Sequence, residues 1–214
     1  MGLKESGLRG SLRNVSVDIR AIPDGDFTQY SLTDPNDRIS VTSSDSYDGT
    51  DITANDEFRL YDSVDIDDDL NRILDFNVLA GTDDGEHYYV GFGDSADEDR
   101  ESIDNFAGVY IEVSSGEGVV VGIDFREGSP PQDNIVVTGL DKKVEYTIEQ
   151  RYDFESNEIT VEVFNPDGNS EGEGSEPIPD VDWSHDYAAM GANAGFSDPG
   201  EMNIQISNYR FEPV

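Results

Sequence analysis

The chain has 214 residues, with 13 Lys+Arg against 48 Asp+Glu for a formal net charge of −35, and it contains no Cys. The last count removes disulfides, thiolate metal sites and cysteine nucleophiles together. The scarcity of cations argues against a nucleic-acid binder, which needs clustered Lys and Arg to neutralise phosphate. No apolar run approaches the roughly 20 residues of a membrane-spanning helix. Ten Phe and ten Tyr separate it from disordered acidic chains, which are poor in aromatics.

Lys occurs only at positions 4, 142 and 143, while Asp is spread over nearly every turn. A folded body with this charge repels itself in dilute solution. Molar salt shortens the screening length to about 3 Å and makes the same surface tolerable. The expected host therefore lives in brine, most simply a haloarchaeon; a mesophilic acidic protein that binds a cation or a basic partner is the competing reading. In such a chain an acidic cluster says little about where a site lies.

The N-terminus, residues 1–26, differs from the rest. Its first 13 residues hold Lys4, Arg9 and Arg13 but a single acid, Glu5, and Leu3, Leu8 and Leu12 recur at near-helical spacing. Gly7 and Gly10 weaken an isolated helix by about 1 kcal/mol each relative to Ala. The segment lacks the apolar stretch of a secretory signal. Leu3, Lys4, Leu8, Arg9, Leu12 and Arg13 are the expected contacts of a docking segment that orders against a partner.

Residues 27–214 read as strand after strand. Asp24-Gly25, Asp34-Pro35, Asp48-Gly49, Asp84-Gly85, Asp167-Gly168 and Pro199-Gly200 are turn signals between short β-rich runs. Strands are predicted at 27–32, 38–42, 57–61, 73–79, 87–92, 109–113, 118–124, 143–152, 158–164, 187–191 and 202–211. The clearest are 143–152 and 158–164. Val144, Tyr146, Ile148 and Gln150 alternate with Glu145, Thr147, Glu149 and Arg151, and Ile159, Val161 and Val163 alternate with Glu158, Thr160 and Glu162. Strict period-2 alternation means one buried and one wet face. Residues 165–182, rich in Gly, Pro, Ser and acids, read as a long loop. The expected fold is all-β, an antiparallel β-sandwich of the jelly-roll kind.

Several segments carry a resemblance in their order. They are Arg38-Ile39-Ser40-Val41 before a turn at Tyr47-Asp48-Gly49-Thr50, and Tyr89-Val90-Gly91-Phe92-Gly93-Asp94 before Gly108-Val109-Tyr110-Ile111-Glu112. The hairpin from Val144 to Val161 and the closing Ile206-Ser207-Asn208-Tyr209-Arg210-Phe211 complete the set. Together they resemble the concanavalin A-like lectin/glucanase (laminin-G-like) superfamily over roughly residues 27–211. The opening Gly2-Leu3-Lys4-Glu5-Ser6-Gly7-Leu8-Arg9-Gly10-Ser11-Leu12-Arg13 is similar to the start of structural proteins of haloarchaeal tailed viruses. These resemblances imply a virion component, a homo-oligomer displayed as a tail fibre, spike or turret. Its partners would be other virion proteins and a host-surface glycan, without nucleic acid or membrane insertion. A capsid or tail decoration protein without glycan binding, and a cellular carbohydrate-binding module or hydrolase, are the alternatives.

Glucanases of that superfamily carry a Glu-x-Asp-x-x-Glu type run, and none occurs here, so no enzyme activity is expected. Glu145 and Glu149 share a strand face but are flanked by Lys143 and Arg151. No motif in the chain calls for a particular cofactor, and Ca²⁺ stays open. If Ca²⁺ binds, Asp94, Asp97 and Asp99 are the candidate ligands, because Ca²⁺ takes oxygen donors from flexible loops. For a glycan the candidates are Trp183, His185 and Asp186: an indole can meet the C–H face of a sugar while the polar neighbours hold its hydroxyls. Trp183 would equally serve as a core residue of the sandwich.

Overall fold

The structure, a computed structural model, describes residues 25–53, 56–66, 68–82, 88–95, 103–114, 116–127, 132–191 and 201–214. Residues 1–24, with all six expected docking contacts, and candidate ligands Asp97 and Asp99 lie outside the described residues.

Among these residues there is no helix. In chain order the strands are β1 (Ser31–Thr33), β2 (Ile39–Ser43), β3 (Ser46–Ile52), β4 (Arg59–Ile66), β5 (Leu70–Gly81), β6 (Tyr88–Gly93) and β7 (Asn105–Ser114). They continue with β8 (Gly118–Glu127), β9 (Gln132–Leu140), β10 (Glu145–Asp153), β11 (Glu158–Phe164), β12 (Ser170–Pro177), β13 (Trp183–Gly191) and β14 (Met202–Pro213). Two antiparallel sheets result, in the orders β1-β4-β13-β6-β7-β8-β9 and β12-β11-β10-β5-β14-β3-β2. Their inner faces share one apolar core, as the alternating strands require. The all-β sandwich is thus the observed architecture, and β10 and β11 bury Tyr146, Ile148, Gln150 and Ile159, Val161, Val163 while showing their charged residues to water.

Four segments differ from expectation. Residues 27–30 form a turn rather than a strand: Gln29 and Tyr30 donate backbone N–H bonds to Asp26 and Phe27, and the Asp26 carboxylate accepts from Thr28 N at 3.0 Å. The Asp48-Gly49 pair lies inside β3, where glycine answers packing rather than a turn: a Cβ at 49 would sit 2.6 Å from Ile52 Cδ1. Residues 170–177, read as loop, form the edge strand β12 paired with β11. Its inward positions hold Gly172, Gly174 and Glu176, opposite Val163, Val161 and Ile159, so it carries none of the apolar alternation that marks the other strands. A Cβ on Gly172 would lie 2.7 Å from the carbonyl oxygen of Val136 on β9, which means β12 closes the side of the sandwich at backbone distance. β9 itself was not among the predicted strands; its central Ile135-Val136-Val137 is an apolar run without alternation.

A polar web crosses the interior. Arg72 on β5 reaches Asp186 on β13, while the hydroxyls of Tyr30 and Tyr209 donate to the same carboxylate. Tyr47 on β3 donates to the Ala188 carbonyl at 2.6 Å. Tyr152 on β10 accepts from Arg72 at 3.1 Å and lies 2.7 Å from Gln150 Oε1. Polar groups in a core persist when they are bonded in this way.

Candidate functional site

The register of the first sheet places its outward side chains in rows. Ser63, His185, Gly93, Phe106 and Arg126 lie side by side across β4, β13, β6, β7 and β8. The next row holds Tyr61, Tyr187, Gly91, Gly108 and Asp124, and the one beyond it Tyr89, Tyr110 and Gly122 with Met190 and Arg59. The glycines form a floor on which rings lie. Phe106 occupies the space a Cβ on Gly91 would need, Tyr110 covers Gly122, and a Cβ on Gly93 would meet Tyr187 at 2.8 Å. Tyr89, Phe106, Tyr110, Tyr187 and Met190 join Ile103 and Val120 in a second apolar cluster, separate from the main core.

At the margin of that cluster the face opens. Tyr61 and His185 are partly exposed, and the rings of Tyr61, His185 and Tyr187 stand 5.8 to 6.2 Å apart, centroid to centroid. The Arg59 guanidinium lies 5.1 Å from the Tyr61 ring centroid, within cation–π range. The Tyr187 hydroxyl donates to the Ser95 carbonyl, which fixes its ring. Next to His185, across the β13–β6 pairing, Asp94 and Asn105 bracket the start of β7: Asn105 Nδ2 donates to Asp94 Oδ2 at 2.6 Å.

His185 is the titratable group of this margin. Its Nδ1 is hydrogen-bonded to Ser184 Oγ at 2.8 Å. Burial, and after it the positive charge of Arg59, hold the imidazole below its usual value, with Asp94 and Asp62 pulling the other way. The ring is therefore neutral near pH 7, able both to accept and to donate a hydrogen bond.

The three residues expected to hold a glycan are divided by the sheet. His185 is at the margin, but Trp183 is 3% exposed and packs in the main core, and Asp186 is 0% exposed between the sheets. As placed, neither can meet a sugar. A β-bulge between Trp183 and His185 puts the two on opposite faces, where simple alternation would align them. Asp186 is a carboxylate that burial pushes up in pKa while Arg72, Tyr30 and Tyr209 hold it down. Of the expected Ca²⁺ ligands Asp94 alone is described; it is bonded to Asn105, and among the described residues no group of three acidic or His side chains is arranged to hold a metal. Tyr61, Arg59, Tyr187 and Asn105 went unread because the pairing of β4 with β13 and of β6 with β7 joins segments remote in sequence.

Other concavities lie on the outer face of the second sheet, along β10. One of about 450 Å³ is lined by Glu145, Thr147, Glu149, Phe164, Asn165, Pro166 and Gly168.

No protein-family model matches the chain, and no curated protein matches it. Solved structures do. A functionally unknown protein from Saccharomyces cerevisiae aligns over 88% of this chain and 98% of its own at 10% identity, with a TM-score of 0.63. A legume lectin-like domain from Entamoeba histolytica aligns over 86% and 90% at 11% identity, TM-score 0.57. An alginate lyase from Pseudomonas aeruginosa aligns over 88% and 100% at 11% identity, TM-score 0.58. At these identities the likeness establishes the fold, a lectin-like jelly-roll sandwich, and fold by itself does not confer function.

Proposed function

We propose that this chain is a glycan-binding protein that contacts saccharide at the Tyr61–His185 margin of its first sheet. The observation that carries the reading is the pair of partly exposed rings, Tyr61 and His185, packed on the buried Tyr187 ring beside the Asp94–Asn105 pair. Saccharide sites combine an apolar platform for C–H faces with a few fixed polar groups for hydroxyls, and this margin offers both. The lectin-like neighbours of the fold are consistent with it.

Glu145 and Glu149, which share a strand face, do not make a glycosidase pair. Glu145 and Glu149 are four residues apart on one strand, about 13 Å at ~3.3 Å per residue. A glycosidase pair stands about 5–5.5 Å apart when retaining and about 6.5–9.5 Å when inverting. The setting we assign is the surface of a haloarchaeal virus particle, as a tail fibre, spike or turret. The −35 charge and the basic stretch around Lys4, Arg9 and Arg13 support that setting.

Calorimetric titration of the full chain with an oligosaccharide panel, in molar KCl, tests the binding. Tyr61→Ala and His185→Ala should each weaken it about tenfold, the 1.4 kcal/mol of a moderate contact residue, with the circular dichroism unchanged. Undiminished affinity in both variants, or no saccharide bound at all, rejects the reading.

A further inference from the structure

The second sheet carries a pocket unlike the rest of its outer face. That face presents Asn71, Asp75, Thr147, Thr160, Glu162 and Gln205 among its outward residues, and most of it is a hydrated carboxylate and hydroxyl surface. At the end of β11 the pattern changes. Phe164 pairs with Thr147, so its ring emerges on the wet side, and the chain then turns through Pro166. The turn is built firmly: Gly168 N donates to Asn165 O at 2.8 Å and Asn165 N to Asn169 O at 2.9 Å, while Gly168 takes φ +77°. Asn165 is tied down by Glu171 through Nδ2 at 2.6 Å. The floor is fixed as well, because Thr147 donates to Asp75 at 2.6 Å. Phe164 and Pro166 thus form an apolar wall over a cavity of about 450 Å³ whose floor is Glu145, Thr147 and Glu149.

We infer that this pocket is a second saccharide site, on the opposite face from the Tyr61–His185 margin, and that it selects an amine-bearing pyranose. Its volume falls in the range of small-molecule sites, roughly 300–1,000 Å³. Acidity alone would not single it out, since carboxylates cover this protein; what does is the rigid apolar wall facing a carboxylate floor. The lining contains two carboxylates and no cation, so a uronate or sulfated sugar is repelled. A neutral sugar would gain only ordinary hydrogen bonds, whereas an ammonium gains charge-assisted ones, roughly twice as strong. In brine the screening length of about 3 Å removes long-range attraction, leaving only an ammonium in direct contact with Glu145 or Glu149 favoured. The inference rests on residues separate from the first site. With both sites occupied, one chain would bridge two glycans.

Methyl glucosaminide, methyl glucoside and methyl glucuronide, titrated into the full chain in molar KCl and followed by NMR, decide the matter. The glucosaminide should bind about tenfold more tightly than the glucoside, and the glucuronide should not bind. Phe164→Ala and, as a variant that keeps the fold's packing intact, Glu149→Gln should each weaken the glucosaminide by a similar factor, while Tyr61→Ala leaves it unchanged. Equal affinity for glucosaminide and glucoside, absence of binding, or loss through Tyr61→Ala alone overturns the inference. Because the two sites are separated by variant, failure here leaves the first site standing.

Discussion

Arg72 and Asp186 meet across the interior of the sandwich, guanidinium Nη2 to carboxylate Oδ1 at 2.5 Å, both side chains 0% exposed. One belongs to each sheet, and His185 immediately precedes Asp186 on the same strand. The Arg72 guanidinium also lies 4.0 Å from the Phe92 ring centroid and within 6 Å of the rings of Tyr152, Tyr209 and Phe211. The pair therefore pins β13 to the second sheet directly beneath the candidate site.

Breaking one half of a buried ion pair leaves the other charge uncompensated, at a cost of about 3–5 kcal/mol. Asp186→Ala should destabilise the protein by that order in denaturant titration at molar KCl. The double variant Arg72→Met with Asp186→Leu should recover only part of the loss: it removes both buried charges, but it leaves the buried Tyr30 and Tyr209 hydroxyls without their acceptor. A double variant no more stable than Asp186→Ala would contradict this account.

His185 gives the pH dependence. Its folded pKa lies below the ordinary 6.5, from burial and then from Arg59. A depressed pKa means that the folded state favours the neutral ring. Its contribution is complete above about pH 6.5 and is lost as pH falls through the lowered folded value. NMR titration of the imidazole should show that midpoint below 6.5, and Arg59→Gln should move it upward. An imidazole that titrates at or above 6.5, or one indifferent to Arg59→Gln, would remove the stated cause.

The parts of the fold legible in the sequence are those where one face is apolar. β10 and β11 alternate without a break, and their bounds follow from Tyr146, Ile148 and Ile159, Val161, Val163 alone. β12 was illegible because its inward positions hold Gly172, Gly174 and Glu176 in place of apolar side chains, and glycine in a run of Ser and Glu reads as a loop. The site was half legible: His185 could be named as a polar neighbour of Trp183, but the residues it meets on β4 and β6 are brought alongside only by sheet order. Asp186 could not be told from 47 other acids, because in an acidic chain one more Asp carries no signal.

The close approach of β12 to β9 makes Gly172 and Gly174 unequal. A Cβ at 172 would lie 2.7 Å from a backbone oxygen of Val136, while one at 174 would meet Val136 Cγ2 at 3.2 Å. A side-chain methyl can rotate away; a backbone carbonyl moves only with its strand. Gly172→Ala should cost about 1–3 kcal/mol, the usual range for overpacking, and Gly174→Ala should cost well under half as much. Thermal melts of the two variants, at one salt concentration, compare them directly.

The wet face of the second sheet sets the response to salt. Glu149 on β10 pairs with Glu162 on β11, and Glu162 pairs with Glu173 on β12, so three carboxylates stand in one row. Like charges directly opposite on neighbouring strands are destabilising, and the −35 net charge adds a general repulsion. The screening length falls from about 10 Å at 0.1 M salt to about 3 Å at 1 M, which is shorter than the ~4.8 Å between strands. Raising KCl into the molar range should therefore raise the melting temperature. Glu162→Gln, which removes the middle charge of the row, should stabilise the protein by about 0.2–1 kcal/mol in dilute salt and by much less in molar KCl. A gain from Glu162→Gln that does not shrink with salt would show that the row is not held apart by charge, and a melting temperature indifferent to KCl would mean that the acidic surface is no adaptation to brine.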